Sequence, residues 1–143
     1  MKNKLKIALL TILTAISVFA VCLFAGCKVD YAALYNDDAQ IIKRNSYTAV
    51  ALVEDTSKYS YSCSKFSGVK EIKSVTVGSG SGLDVKLNIE SGDFKLVLTD
   101  SSTVYVLTDE SFEGVLPFEN IPDGRYKLKM VGVEAKFSLK INF

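Results

Sequence analysis

The side chains that most often carry out catalysis are scarce in this sequence. It contains no histidine, so the commonest acid–base group and the commonest metal ligand are both missing. Tryptophan, the aromatic residue used most often to stack on sugars, is absent as well, although seven tyrosines are present. We therefore expect a non-enzymatic protein that holds neither a metal ion nor an organic cofactor.

The carboxylates gather near predicted turns rather than in one motif. They could supply oxygen ligands to calcium, but no segment has the spacing of an EF-hand loop. Two of them could also form the carboxylate pair of a glycosidase. We favour the interpretation that they are solvated turn residues. The residues concerned are Asp37, Asp38, Asp93, Asp100, Asp109, Glu110, Glu113, Glu119 and Asp123.

Glycine and serine alternate over residues 78–82 (GSGSG). A nucleophile elbow needs serine in the middle position, which is Gly80 here. A dinucleotide-binding fingerprint needs a third glycine at the position of Leu83, followed by a helix that the sequence does not provide. The run therefore predicts a flexible loop between two strands.

Five basic residues near the C-terminal end could form one charged surface. Strands are predicted on both sides of a turn at Gly132, and alternation places the basic residues on the polar face of each strand. If the strands pair as a hairpin, that face could meet phospholipid headgroups or anionic wall polymers. The alternative is a solvated face whose lysines discourage edge aggregation. The residues are Arg125, Lys127, Lys129, Lys136 and Lys140.

The three cysteines lie in different parts of the chain. Cys22 is inside an apolar N-terminal run, Cys27 ends that run, and Cys63 alone belongs to the body of the protein. A single cysteine cannot form an intramolecular disulfide. We predict that Cys63 is a buried, small hydrophobic residue rather than a reactive thiol.

The N-terminus has the features of a membrane-directing leader. Three lysines stand in the first six residues, and residues 7–26 carry no charge. A secretory signal would end in small residues, whereas an uncleaved helix would need about twenty apolar residues to span a bilayer. In either case the basic N-terminus stays inside, so the rest of the chain lies on the extracytoplasmic face.

The leader ends at residues 23–27 with LFAGC, which resembles the lipobox of bacterial lipoproteins. The resemblance implies that a diacylglycerol is attached to Cys27 and that the lipoprotein signal peptidase cuts between Gly26 and Cys27. Phe24 stands where leucine is usual, with Leu23 one position earlier. Two acyl chains anchor a protein stably where one gives only marginal binding, so the resemblance predicts a lipid anchor in the cell membrane.

The charge of the mature chain gives no reason to expect nucleic acid as a partner. Three of the 17 Lys and Arg residues lie in residues 1–26, which hold no acidic residue, so 14 basic residues face 16 acidic ones and the net charge is −2. Nucleic-acid-binding domains usually carry a basic excess on one face.

Residues 27–45 predict a lipidated tether with local helix. Asp30 could cap a short helix that places four apolar or aromatic residues roughly on one side, Tyr31, Leu34, Tyr35 and Ile42. Residues 39–44 could equally begin a strand.

From residue 46 to residue 143 the hydrophobic period is two, with turn signals about every ten residues. Residues 83–89 alternate between apolar and polar, as do residues 126–130 and 135–141. Each strand has one wet and one dry face, which argues against a parallel sheet. The pattern predicts an all-β domain, an antiparallel β-sandwich with an Ig-like or jelly-roll-like meander, after a cleaved signal helix at residues 1–26.

The strand sequences also loosely resemble small β-sandwich domains on envelope lipoproteins of Gram-positive bacteria. The residues that carry this resemblance are FSGV at 66–69, GDFK at 92–95, GRYKL at 124–128 and AKFSL at 135–139. The resemblance identifies no site residues.

Together these observations predict a membrane-anchored extracytoplasmic lipoprotein with a non-enzymatic binding or structural β-domain. Its expected partners are the membrane, through the lipid, and envelope proteins or anionic wall polymer. A carbohydrate- or wall-polymer-binding module is the main alternative, and exposed tyrosines lining one groove would favour it. An envelope hydrolase is the third, and it would need carboxylates that converge in a cleft.

Overall fold

The structure, a computed structural model, describes residues 28–143. The predicted leader, Gly26 and the predicted lipidation site Cys27 lie outside the described residues. Within residues 28–143, no helix has the length and apolar character needed to cross a bilayer.

Two short helices precede seven strands. Helix α1 spans Tyr31–Tyr35 and helix α2 spans Asp38–Lys43. The strands are β1 Ser46–Val50, β2 Val53–Asp55, β3 Ser60–Val77, β4 Gly82–Thr99, β5 Val104–Thr108, β6 Phe112–Pro117 and β7 Gly124–Asn142.

The strands form one antiparallel sheet around three long members. The order is β1-β3-β7-β4-β5, and the short strands β2 and β6 pair with the outer edges of β3 and β4. The longest strand, β7, is central and pairs with β3 on one side and β4 on the other. The predicted all-β, antiparallel architecture is confirmed.

Irregular pairing interrupts all three long strands near their middle. The register between β3 and β7 shifts on both sides of Phe66, and that between β4 and β7 shifts on both sides of Ser91. Such bulges bend a strand and increase its twist. Leu83 and Leu98, near opposite ends of β4, nevertheless belong to one continuous hydrophobic core. The bent sheet is therefore sandwich-like, with its two halves facing a common interior.

Glycines allow the strands to approach closely along this bend. Gly92 has a φ of +74°, and a Cβ placed there would lie 2.6 Å from the carbonyl carbon of Glu134 on β7. A Cβ on Gly132 would lie 2.9 Å from the ring of Phe66. Glu134 itself has a φ of +49°, a conformation uncommon for a residue with a side chain. These glycines therefore permit the bend in the sheet, and they do not form turns that reverse the direction of the chain.

The predicted turn at Gly132 is wrong, because β7 continues through it as a single strand. β3 and β4 likewise run as single strands through Gly68 and through residues 91–93. By contrast, the loop predicted over residues 78–82 is confirmed in outline: β3 ends at Val77 and β4 begins at Gly82.

The main core fills the interior with aromatic and aliphatic side chains from every long strand. Phe137 is central, since its ring centroid lies 5.8 Å from that of Phe66 and 4.4 Å from that of Phe94. Cys63 is 5% exposed, and its thiol donates weakly to the carbonyl of Val50 at 3.3 Å. The prediction that Cys63 is a buried small hydrophobic residue is confirmed.

A second, smaller core lies on the outer face of the sheet. Leu34 and Ile41 of the two helices pack there against Val69, Val97 and Val131 of the long strands. The side chain of Asp30 accepts a hydrogen bond from the Ala33 amide, as predicted for a helix cap.

Residues 27–45, which the sequence predicts to be a lipidated tether with local helix, contain two short helices in the part that the structure describes. Residues 31–43 are held on the sheet, because burying Leu34 and Ile41 stabilises them there. The possibility that residues 39–44 begin a strand is also excluded, since α2 spans Asp38–Lys43.

Candidate ligand-binding cleft

The five basic residues that were predicted to share one surface all lie along β7, which is a single strand and not a hairpin. Arg125, Lys127 and Lys129 do lie on one face of the strand, as their spacing requires. Lys136 and Lys140 follow beyond the bend, toward the other end. The predicted hairpin is absent, so the five-cation surface does not form.

Lys129 is the clearest departure from that prediction because its side chain is only 1% exposed. Its Nζ donates hydrogen bonds to the carbonyls of Ile41 at 2.8 Å, Ile42 at 2.8 Å and Arg44 at 3.1 Å. Burial lowers the pKa of this ammonium, an effect that the carboxylate of Glu71 opposes. Lys129 therefore supports the end of α2 and is not available to an external anion.

Two other members of the set are paired with carboxylates. Lys127 Nζ lies 3.0 Å from Glu71 Oε2, and Lys136 forms an ion pair with Glu90. Lys140 lines a separate hollow that also contains Tyr59. Arg125 has no carboxylate within ion-pair distance among the residues that the structure describes.

A cleft of about 490 Å³ surrounds Arg125 and Lys127 on the outer face of the sheet. This volume falls within the range of small-molecule sites, roughly 300–1,000 Å³. The strand register builds its floor, because Lys127 on β7 lies directly between Ser74 on β3 and Thr99 on β4. The lining consists of Ile42, Ser74, Thr99, Asp100, Ser101, Arg125, Tyr126 and Lys127.

The cleft lies between the end of α2 and the β4–β5 loop. Ile42 of α2 forms one wall, and Asp100 and Ser101 of the loop form another. The loop is fixed by Asp100, whose Oδ1 accepts hydrogen bonds from the amides of Ser102 at 2.6 Å and Thr103 at 2.7 Å. These bonds lower the pKa of the Asp100 carboxyl, so it remains charged and committed to the loop.

Thr99 is the unusual residue of the cleft. Its side chain is 1% exposed, and Oγ1 has no hydrogen-bond partner. It is the one buried side-chain oxygen or nitrogen atom without a partner in the described part of the chain. A buried hydroxyl that lacks a partner costs about 1–3 kcal/mol, so a structural role alone does not account for threonine here.

Tyr126 supports the cleft from the inner side of β7. Its hydroxyl donates to the carbonyl of Pro122 at 2.8 Å, and its ring packs edge-to-face against Tyr105. Burial raises the pKa of this phenol, and Tyr105 adds to the effect. The phenol is therefore a fixed structural donor at neutral pH.

Within residues 28–143 the tyrosines do not line one groove, the arrangement that would favour a carbohydrate site. Tyr47 on β1 is exposed and stacks on Phe66, while Tyr105 on β5, at the other end of the sheet order, is half-buried against the main core. Carboxylates do not converge into a metal site either: within residues 28–143, no three His, Cys, Asp or Glu side chains come together. The acidic turn residues Asp55 and Asp100 instead accept hydrogen bonds within their own turns.

Sequence reasoning found Arg125 and Lys127 but missed the rest of the cleft. Ser74 and Thr99 meet only because β3 and β4 both pair with β7, a relationship that no local pattern encodes. Comparison with protein-family models, curated proteins and solved structures gives no significant match.

Proposed function

We propose that the chain is a lipid-anchored, non-enzymatic binding protein on the extracytoplasmic face of the cell membrane. The observation that carries the proposal is the short distance between the lipobox cysteine and the folded domain. Asp30 caps α1 only three residues after Cys27, and Leu34 is already buried. Three residue steps reach at most about 11 Å, so a lipid on Cys27 would hold the domain directly at the membrane surface.

The cleft supports binding rather than catalysis. Its polar groups, apart from one carboxylate, are the Arg125 guanidinium, the Lys127 ammonium and several hydroxyls, all of which can donate hydrogen bonds to a ligand. The one carboxylate, Asp100, has a lowered pKa and is engaged by the β4–β5 loop. A general acid or base needs a pKa near the working pH, and the pKa of Asp100 is shifted away from it.

The anchor is tested by the intact mass of the protein isolated from bacterial membranes. We expect wild type to begin at Cys27 and to carry the added mass of a diacylglycerol. Cys27→Ser should keep its leader and lose the acyl mass. Cys22→Ser is the matched control, because it changes a leader cysteine that the lipobox does not include. A wild-type mass equal to the unprocessed, unmodified chain would refute the lipid anchor.

A further inference from the structure

We propose that the cleft around Arg125 binds a small organic oxyanion, a phosphate ester or a carboxylate carried on an apolar body. The inference rests on the proposed binding function and names the ligand class of this cleft. It depends on which polar groups are available, on how the strand register arranges them, and on the apolar walls.

Arg125 supplies the principal anion-binding group. It is exposed, lies two residues from Lys127 on the same face of β7, and has no carboxylate partner in the part of the chain that the structure describes. A guanidinium presents its N–H groups in a planar fork that matches carboxylate or phosphate oxygens in bidentate fashion. Arg125 therefore offers a charged donor pair that no internal acid occupies.

Lys127 and the hydroxyls complete a donor-rich floor. Lys127 uses one contact with Glu71, and an ammonium has three N–H donors, so donors remain. Ser74 and Thr99 flank it in register on either side. Thr99 Oγ1 is buried on this face without a partner. A bound oxyanion can accept hydrogen bonds from such a row.

The charges of the lining favour an anionic ligand over a cationic one. Asp100 is the only acid of the cleft, and its Oδ1 already accepts bonds from two backbone amides and from the Ser102 hydroxyl. Arg125 and Lys127 place two positive charges against this one engaged carboxylate. Electrostatics therefore favours a negative ligand group.

The walls indicate that the anion is attached to an apolar body. Ile42 of α2 contributes apolar surface to the cleft, whose volume exceeds that of a single phosphate. Small-molecule sites generally combine apolar walls with a few placed polar groups. Phenyl phosphate and benzoate combine both features and are suitable probes.

The test uses full-length wild-type protein isolated from membranes and placed in phosphatidylcholine nanodiscs, titrated with phenyl phosphate and with benzoate. We expect saturable binding of at least one probe. Arg125→Gln should weaken it at least tenfold, and Ser74→Asp, which adds a negative charge beside Lys127, should abolish it. Lys140→Gln is the matched control, because it removes one exposed cation at the other end of the same strand, and it should change affinity less than twofold.

A second arm separates a lipid headgroup from a soluble anion. In nanodiscs that contain phosphatidylglycerol, weaker probe binding would identify the headgroup as the natural occupant, whereas unchanged binding would assign the cleft to a soluble anion. Both results support the site. Absence of binding to wild type, or equal binding by Arg125→Gln, would overturn it. The intact mass of the same sample reports acylation of Cys27 independently, so failure of the anchor is distinguished from failure of the cleft.

Discussion

The ammonium of Lys129 on the central strand β7 donates a hydrogen bond to the carbonyl of Ile41 on helix α2, at 2.8 Å and out of contact with solvent. The last carbonyls of a helix have no partners within the helix. Lys129 satisfies two such carbonyls of α2, those of Ile41 and Ile42, and the carbonyl of Arg44 just beyond the helix; its positive charge also suits the negative end of a helix dipole. The buried ammonium of Lys129 thus holds α2 against the sheet.

Replacing Lys129 with methionine should destabilise the protein by about 2–4 kcal/mol, because the carbonyls of α2 would stay buried without donors. Methionine retains most of the apolar stem, so the loss would report mainly on the hydrogen bonds. Lys127→Met, two residues away on the same face, breaks only an exposed pair with Glu71 and should cost under about 1 kcal/mol. Urea unfolding of both variants measures the difference. Equal losses would show that the Lys129 contacts do not stabilise α2.

Gly92→Ala should destabilise the protein by more than about 2 kcal/mol. The substitution combines a positive φ with a collision against the backbone of Glu134. Gly80→Ala is the matched control: its φ of +77° is similar to the +74° of Gly92, but no atom lies within 4 Å of the added Cβ. The control should therefore cost only about 1 kcal/mol of backbone strain. The difference in thermal stability between the two variants measures the effect of the close approach between β4 and β7. Similar losses of stability in both variants would refute that effect.

Thr99→Val should stabilise the protein by about 1 kcal/mol, since it removes a buried hydroxyl that has no partner. Thr108→Val should have the opposite effect. Thr108 is also buried, but its Oγ1 donates to the carbonyl of Glu110 at 3.0 Å. Urea titrations of the two variants measure the free energy of unfolding and so show whether each substitution raises or lowers it. A loss of stability in Thr99→Val would mean that the hydroxyl makes a bond in solution.

The free energy of unfolding should fall between about pH 10 and pH 12, and ionisation of Tyr35 should cause part of that fall. Burial raises the pKa of its phenol from 10.0 to about 12, with further contributions from Asp109 and Asp93. In this interval the unfolded chain releases the proton while the folded protein retains it, so rising pH favours unfolding. Urea unfolding at pH 8 and pH 11 should show a smaller loss for Tyr35→Phe than for wild type. Equal losses would contradict the assignment.

Strand type and burial were predictable from alternation. Leu83, Val85 and Leu87 are buried on one face of β4, while the intervening polar residues are exposed, as period two requires. The same reasoning placed Phe137 and Leu139 in the interior. These predictions rely on local chemistry, so they needed no knowledge of the neighbouring strands.

The bend and the cleft were not predictable in the same way. A glycine suits a tight turn and a bulge equally well, and only the partner strand decides between them, as Gly92 and Glu134 illustrate. Lys129 occupies a polar position of β7 in the sequence, yet α2 covers that face. Such outcomes depend on contacts between residues far apart in the chain, 42 positions for Gly92 and Glu134 and 88 for Lys129 and Ile41.

The continuity of the long strands through the bend has a consequence for the rate of folding. β3 and β7 pair residues as distant as Ser60 and Lys140, and each long strand belongs to both halves of the sandwich. Neither half can close before these distant pairings form, and topologies of this kind fold in milliseconds to seconds rather than microseconds. A chain that closes so late stays unfolded longer after synthesis, with its hydrophobic strands exposed for that time.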